Sequence, residues 1–473
     1  MNKMMDLLEA SEAMSGTLHG ETLSFSGVST DSRAVTAGQL FIALRGENFD
    51  GHAFVATAAQ HGAVAAVVDN DAWPGLNVPG LSLIVVADTR LALGQLAARW
   101  RSRFEQPLIA VTGSNGKTTS KEMIASIMRA AFGGAVESVL ATQGNLNNDI
   151  GMPLTLLKLN SNHRAAVIEM GMNHPGEIAY LTRLARPTVA LVTNAQRAHL
   201  AGMGSMDVIA SEKGSVFSGL DNTGVAVINA DDRWATLWRK QSSNQRVMDY
   251  SFERPAAVTG VCTVRGLVTH LRITWQEQQI EVTLALPGAH NARNALGAAT
   301  AALAAGVSLA AVKQGLTSFR GIKGRLQQRP GLNGATLLDD TYNANPDSVR
   351  AGIDVLAATV GKKILVLGDM GEIGEMTGQF HDEVGGYAKS QGVDRLLAFG
   401  DSSVLTAHNF GAGGQHFKKI EDLIGALTAM LTPQSTVLIK GSRFMRMERV
   451  VDAVSELAVG GLDGETVDTK EKK

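Results

Sequence analysis

Leu108-Ile-Ala-Val-Thr-Gly-Ser-Asn-Gly-Lys-Thr-Thr119 is the stretch that decides the fold. Leu108 to Val111 predicts a buried strand. From Thr118 onward, Met123, Ile124, Ile127, Met128 and Ala131 fall at helical spacing on an inward face, and Gly133 and Gly134 end the helix. Between strand and helix, Gly113 and Gly116 let backbone N–H groups point inward at an anion, and the helix N-terminus adds its positive dipole. Lys117 then reaches the β- and γ-phosphates of a nucleotide, and the Thr118 hydroxyl is placed for Mg²⁺. The loop from Gly113 through Ser114, Asn115, Gly116, Lys117 and Thr118 to Thr119 is shorter than the usual G-x-x-x-x-G-K-[ST], because Val111 stands where the first glycine would be. In a glycine-rich chain the bare spacing is weak; strand before and helix after make it a nucleotide-phosphate site.

Outward from this loop, short apolar runs alternate with helical patterns, which is the signature of α/β architecture with parallel strands. At 473 residues the chain has room for roughly three domains. Residues 1–88 read as a small α/β module, with strands over Val28–Arg33, Gln39–Leu44, Ala63–Val68 and Ser82–Val86 around a helix near Phe54–His61. Residues 89–321 read as a central parallel-sheet domain. It opens with a helix over Thr89–Phe104 whose face carries Leu91, Leu93, Leu96, Ala97 and Trp100, and strands follow at Ala165–Ile168, Val189–Thr193 and Gly224–Ile228. Between Val258 and Leu286 the period drops to two, predicting antiparallel strands at this sheet's edge. Residues 322–473 read as a doubly wound, Rossmann-like domain with strands at Thr336–Leu338, Lys363–Leu367, Arg395–Phe399 and Thr436–Ile439, and a disordered tail after Gly460.

Composition excludes several functions. Forty-three Lys and Arg against 45 Asp and Glu give a net charge of −2, so no global field attracts a nucleic acid, and aromatics at 5% supply few stacking platforms. A single cysteine, Cys262, rules out an internal disulfide framework and fits a reducing compartment. Asp6, Glu9 and Glu12 interrupt the N-terminal apolar stretch, unlike a secretory signal. The longest uncharged run, between Arg293 and Lys313, is Ala- and Gly-rich and reads as a buried helix followed by a turn at Gly306 rather than a membrane span. A soluble, cytoplasmic protein is expected. Glycine remains in excess: 51 residues against only 11 prolines, far from a linker or collagen pattern.

The short loop resembles that of the Mur ligase and folylpolyglutamate synthase superfamily of ATP-dependent amide-bond formers. Further runs match that family in the expected order: Gly144-Asn-Leu-Asn-Asn-Asp-Ile-Gly-Met-Pro153, Ile168-Glu-Met-Gly-Met-Asn-His-Pro-Gly-Glu177, Gly288-Ala-His-Asn-Ala-Arg-Asn-Ala295, Asp339-Asp-Thr-Tyr-Asn-Ala-Asn-Pro346, Gly368-Asp-Met-Gly-Glu-Ile-Gly374 and Lys440-Gly-Ser-Arg443. With the loop they run in order from Leu108 to Arg443, about seven-tenths of the chain. The Asp339–Pro346 run is the most member-specific, and the Asp-Asn-Pro-Arg signature of the diaminopimelate-adding relative is absent. The resemblance implies three domains closing around substrates, with D-alanyl-D-alanine joined to UDP-N-acetylmuramoyl-tripeptide through an acyl phosphate in peptidoglycan synthesis, and so a link to cell shape and division. A different amino-acid-adding member, a folylpolyglutamate-type ligase, or a kinase-like NTPase stays open at this point.

The family also implies site residues. Two Mg²⁺ ions would be held with Thr118, with Glu169 at the end of the Ala165–Ile168 strand, and with His199, which by itself would read as a solvent-facing loop histidine. Lys213, a helix lysine by pattern alone, matches the family's carbamylated lysine; with Lys117, Glu169 and His199 it makes the implied catalytic set. Asn291 and Asn294 match adenine-proximal asparagines, Arg325 a phosphate contact and Asp340 a ribose contact, while Asp339 is the structural alternative to its neighbour. Ser32, Arg33, Gly46, Glu47 and Asn48 match the UDP end of the site, and Asn145, Asn147 and Asn148 a substrate loop that composition alone would call a turn. D-Ala-D-Ala would lie near Tyr342, Asn343 and Asn345, with Lys440 and Arg443 beside them, in a protein that acts as a monomer.

Overall fold

A computed structural model describes residues 3–456 and divides into two units, one running to Arg320 and including Glu372–Gly374, the other comprising Gly321–Gly371 and the chain from Glu375 onward. The tail after Gly460 lies outside the described residues.

The first unit is organised by the Leu108–Thr112 strand. Leu108 and Ala110 enter one apolar core and Ile109 and Val111 the other, so both faces are covered and the run is continuously apolar rather than alternating. This strand sits inside a nine-stranded sheet. In spatial order the strands are Gln278–Leu284, Val268–Trp275, Val258–Arg265, Arg246–Ser251, Val225–Asn229, Val189–Val192, Leu108–Thr112, Ala165–Glu169 and Val139–Ala141. All neighbouring pairs are parallel except the two formed by the last three strands in sequence, which are the expected antiparallel edge. Because the chain leaves Leu108–Thr112 toward one side of the sheet and later returns on the other, the loop at this strand's end opens at the topological switch point, where α/β sheets gather ligands. One face is covered by helices Lys117–Ala131, Ala289–Ala304 and Leu309–Ser318. Their small residues allow close packing: Gly315 has no room for a Cβ against the Ile127 backbone.

On the opposite face, helix Thr89–Arg101 shares one continuous core with the small module that precedes it. Leu93, Leu96 and Ala97 are buried as expected, but Leu91 is 52% exposed and Ala92 takes the inward position. Ala131, at the last turn of its helix, is likewise exposed. The module holds a five-stranded sheet of Thr17–His19, Ser82–Val86, Ala65–Asp69, Leu40–Ile42 and Val28–Ser29, antiparallel only at its first pair. The strand expected over Val28–Arg33 stops at Ser29, because Asp31 turns the chain by accepting the Arg33 N–H at 3.0 Å. Helix Leu7–Ala13, capped by Asp6, is an element that the acidic N-terminal pattern concealed.

The second unit is a six-stranded sheet ordered Gln327–Pro330, Thr336–Asp340, Ser435–Lys440, Lys362–Gly368, Arg395–Phe399 and Gly414–Phe417, parallel except at its first pair. Helices Pro346–Ala357 and Thr377–Ser390 flank it, and Ile420–Thr428 and Glu448–Val454 join Val366, Val437 and Ile439 in one core. The edge strand Gly414–Phe417 is polar and was illegible to an apolar-run criterion. Among the described residues no helix is long and apolar enough to cross a membrane.

The fully buried His381 pins the turn after the Lys362–Gly368 strand, accepting the Met370 N–H on Nε2 at 3.0 Å while Nδ1 faces the Thr377 carbonyl at 2.8 Å. Burial holds this imidazole below its ordinary value, with the Thr377 carbonyl and Asp369 pulling the other way. A ring kept neutral in the fold binds fewer protons than in the unfolded chain. Its contribution is therefore complete above about pH 6.5 and is lost as pH falls through the folded value. Thermal melts from about pH 7.5 to about pH 5 should thus fall more steeply for the native chain than for His381→Gln; parallel slopes contradict this.

Candidate active site

Ser114, Asn115, Gly116 and Lys117 form the turn between strand and helix, and the loop that follows Val189–Val192 braces it. The Ser114 N–H donates to the Asn194 carbonyl at 3.0 Å and the Asn115 N–H to Asn194 Oδ1 at 2.9 Å. In return Thr193 Oγ1 and Asn194 Nδ2 donate to the Asn115 carbonyl at 2.7 and 2.9 Å. Ser114 Oγ donates to the Gln196 carbonyl, and Asn115 Nδ2 to Gln196 Oε1 at 2.7 Å. The turn is therefore fixed before any ligand arrives. Thr193, Asn194 and Gln196 were not singled out by sequence; an amide-rich run directly after a strand that pairs with the phosphate-loop strand was the available signal.

Two glycines are required here. Gly113 has φ +147° and a Cβ there would collide with Thr193 Oγ1; Gly116 has φ +79° and its Cβ would collide with Asn294 Oδ1. The second contact places Asn294 against the loop, where Asn294 Nδ2 also donates to Asn291 Oδ1 at 3.3 Å. Lys117 Nζ folds over the loop onto the Gly113 and Ser114 carbonyls at 2.7 and 3.2 Å.

Glu169 ends the strand beside the loop, paired in register with Val111. It is 2% exposed. Asn147 Nδ2 donates to its Oε1 at 2.8 Å, and its backbone N–H donates to Thr142 Oγ1 at 2.9 Å. Its other oxygen, Oε2, is buried without a hydrogen-bond partner. An ionised carboxylate left half-paired in a buried place is costly unless a cation completes it. Among the described residues no three His, Cys, Asp or Glu converge as a ready metal cage. Mg²⁺ needs no such cage, since it retains waters and takes phosphate oxygens. A lone carboxylate oxygen at the end of the strand beside the Gly-rich loop fits that ion.

Asn145 and Asn148 belong to the same loop: the Asn147 N–H donates to the Asn145 carbonyl at 2.7 Å, and Asn148 Oδ1 accepts the Gly151 N–H at 2.8 Å. Lys213 is 1% exposed on helix Met206–Gly214. Burial pushes its ammonium well below the ordinary lysine range, and the charge of Lys117 acts in the same direction against a weaker pull from Glu212. His199 adopts φ +59°, and its Nδ1 lies 3.0 Å from Glu372 Oε2 in the short segment that groups with this unit, a contact that lowers the Glu372 carboxyl.

In the small module Ser32 is buried, and its carbonyl lies 2.7 Å from His61 Nδ1. Arg33 is exposed and paired with Asp31 at 2.9 Å. Gly46, Glu47 and Asn48 form an exposed turn on a stiff base, where Arg45 joins Asp69 at 2.7 Å and Asp50 at 2.8 Å. The Arg45 guanidinium holds the Asp69 carboxyl down to about 2.

The second unit gathers its own set. Asp340 Oδ2 accepts from the buried Lys440 Nζ at 2.6 Å and its Oδ1 from the Leu326 N–H at 3.2 Å, while Lys440 also donates to the Asn343 carbonyl at 2.8 Å. Burial lowers the Lys440 ammonium, and Asp340 opposes that shift. The Arg325 guanidinium lies 4.0 Å over the Tyr342 ring. Asn343 Oδ1 accepts the Ala344 N–H, and Asn345 caps helix Pro346–Ala357 in a reciprocal box with Ser348. Asp339 is 1% exposed and bonded to Thr341 Oγ1 at 2.7 Å. The motif around Asp339–Pro346 and the Lys440–Arg443 motif thus meet within this unit, although Arg443 itself is exposed and pairs with Glu448 at 3.0 Å.

Comparison with known proteins agrees with this layout. Residues 24–101 match the model described as Mur ligase family, catalytic domain; 111–302 match the Mur ligase middle domain; 324–443 match the Mur ligase, glutamate ligase domain. The UDP-N-acetylmuramoyl-tripeptide–D-alanyl-D-alanine ligase of Escherichia coli K12 is 40% identical over 95% of this chain and 98% of its own length. The chain belongs to the Mur ligase family. The Bacillus subtilis 168 ligase of the same name is 35% identical over 94% of this chain and 97% of its own. Among solved structures, MurF from Acinetobacter baumannii superposes with a TM-score of 0.88 at 33% identity, covering 95% of this chain and 99% of that one. MurF from Thermotoga maritima in complex with ADP gives 0.79 at 25% identity, covering 90% and 96%. The mixed α/β fold is that of Mur ligases.

Gly116→Ala is expected to weaken binding of a fluorescent ATP analogue by about tenfold or more. Gly134→Ala, whose φ is also positive but which has nothing within 4 Å of a Cβ, should cost about 1 kcal/mol of stability and leave nucleotide affinity unchanged. Equal affinities for both variants contradict the assigned role of Gly116.

Proposed function

We propose that the chain is an ATP-dependent ligase that joins D-alanyl-D-alanine to UDP-N-acetylmuramoyl-tripeptide, giving the pentapeptide precursor of peptidoglycan, ADP and phosphate. The observation that carries this reading is the near-full-length similarity to ligases of that name, with the phosphate loop and Glu169 in place at the switch point.

The chemistry starts with two anions that repel each other, the γ-phosphate of ATP and the terminal carboxylate of the tripeptide. Lys117 and the N–H groups at the start of its helix hold the phosphates, since Asn194 already accepts the Ser114 and Asn115 N–H groups. Thr118, Glu169 and His199 would hold Mg²⁺ in two sites, and the ions supply neutralisation of the charge that builds between the anions. A carboxylate oxygen bonds to the γ-phosphorus as the bond to ADP breaks, forming an acyl phosphate. The neutral amine of D-Ala-D-Ala then attacks the acyl carbon, the amide forms, and phosphate leaves with the carboxylate's oxygen while the amine gives up a proton.

Asn291 and Asn294 serve the adenine end, Asp340 the ribose and Arg325 a phosphate. Ser32, Arg33, Gly46, Glu47 and Asn48 serve the UDP end, Asn145, Asn147 and Asn148 the peptide donor, and Tyr342, Asn343 and Asn345 the incoming dipeptide. Lys213 carries a carbamate. Burial and the Lys117 charge favour its proton-free amine, which is the form that adds to CO₂, and the product is an anion suited to a phosphate-and-metal site. A cytoplasmic monomer completes the reading, with the lone cysteine consistent with a reducing setting.

Mass spectrometry of a reaction containing UDP-N-acetylmuramoyl-tripeptide, D-Ala-D-Ala, ATP and Mg²⁺ should show pentapeptide product. Phosphate release should require the dipeptide, and single amino acids should not replace it; release without amide formation would point to a plain NTPase. Lys117→Ala should lower turnover by about a hundredfold or more with little change in melting temperature; a large loss of stability without ATP contradicts a phosphate-facing role. With ¹³C-bicarbonate, a carbamate carbon signal is expected in the native chain and absent from Lys213→Arg. A native chain without that signal contradicts the modification.

A further inference from the structure

Lys121 is a buried charge that none of the chemistry above uses. It lies one turn into the phosphate-loop helix and is only 1% exposed. Burying an ammonium costs several kcal/mol unless its donors are satisfied by well-placed acceptors. Two acceptors are present: Glu122 Oε1, and the Thr142 carbonyl at 2.6 Å. The Glu122 contact is to an adjacent, partly exposed side chain. The Thr142 contact spans 21 residues and reaches a wholly buried residue at the end of the Val139–Ala141 strand.

Thr142 leads directly to Glu169. Its N–H donates to the Val167 carbonyl at 3.1 Å, and its Oγ1 accepts the Glu169 N–H at 2.9 Å. Five residues further on, Asn147 Nδ2 holds Glu169 Oε1 at 2.8 Å, while the Asn147 carbonyl accepts the Gly171 N–H at 2.9 Å. The carboxylate whose second oxygen is unpartnered is thus gripped at its backbone and at its first oxygen by the segment that Lys121 anchors.

We propose that Lys121 is a positioning residue that ties the phosphate-loop helix, through Thr142, to Glu169, so that Glu169 Oε2 is presented to a divalent cation bound with nucleotide. This rests on the reading of Glu169 as a cation ligand. Groups that orient a metal ligand without touching the metal typically change affinity by 10- to 100-fold when removed.

The test is Mn²⁺ binding, followed by the electron paramagnetic resonance of free Mn²⁺, with a non-hydrolysable ATP analogue present. The proteins compared are the native full-length chain, Lys121→Met, Lys121→Arg, Thr142→Val and Glu169→Gln. Lys121→Met and Thr142→Val are each expected to weaken Mn²⁺ binding by about tenfold, with analogue affinity in the absence of metal unchanged. Lys121→Arg, which keeps a buried donor, should recover part of the loss. Thr142→Val keeps the carbonyl that Lys121 binds and removes only the hydroxyl that meets Glu169, so it tests the connection even if Lys121→Met fails to fold. Native Mn²⁺ affinity in Thr142→Val, or in a folded Lys121→Met, overturns the proposal when Glu169→Gln is weakened. Native affinity in Glu169→Gln instead overturns the reading of Glu169 on which the proposal stands.

Discussion

A single buried carboxylate with one oxygen unpaired is the constraint around which the first unit is built. Glu169 is placed by parallel register beside Val111, so the strand that launches the phosphate loop also fixes where the carboxylate ends. Leaving Oε2 without a protein partner is unfavourable in isolation. Apolar surroundings raise that cost, and a cation bound at Oε2 would relieve it. The pre-shaped loop and the carboxylate at the end of the neighbouring strand are therefore two parts of one arrangement.

That arrangement is rigid for a nameable reason. The turn after Val189–Val192 supplies Thr193, Asn194 and Gln196, which satisfy the polar groups of Ser114 and Asn115. A loop so braced loses little freedom when phosphate binds, which is how preorganisation converts contacts into affinity. The glycines at 113 and 116 follow from the same crowding, since their backbone approaches Thr193 and Asn294 more closely than any side chain would permit. Part of the glycine excess thus records how near the backbone comes to its neighbours at the loop; other glycines, such as Gly306 with φ +86°, simply turn the chain between helices.

Much of this was legible in the sequence because buried parallel strands and helical periodicity are strong local signals. The Leu108–Thr112 strand, the helix after it and the period-two edge over Val258–Leu284 are read from pattern alone. Elements whose formation depends on distant partners were hidden. Val139–Ala141 is only three residues long and pairs with Ala165–Val167, and Arg246–Ser251 begins with exposed residues. Asn147 looked like a turn residue, and its grip on Glu169 exists only because two strands end side by side. Lys121 was invisible for the opposite reason: on a helix that carries Lys117 and Glu122, a lysine reads as a solvated surface charge, whereas the fold buries it.

Activation of a carboxylate by phosphoryl transfer is the central claim, and the fate of the carboxylate's oxygen tests it most directly. Tripeptide substrate labelled with ¹⁸O at its terminal carboxylate should, in a complete reaction with ATP and D-Ala-D-Ala, deliver one ¹⁸O to each released phosphate and keep the other in the amide carbonyl. Phosphate that carries no label while amide forms, or phosphate released with both labels retained in an unchanged carboxylate, would contradict it.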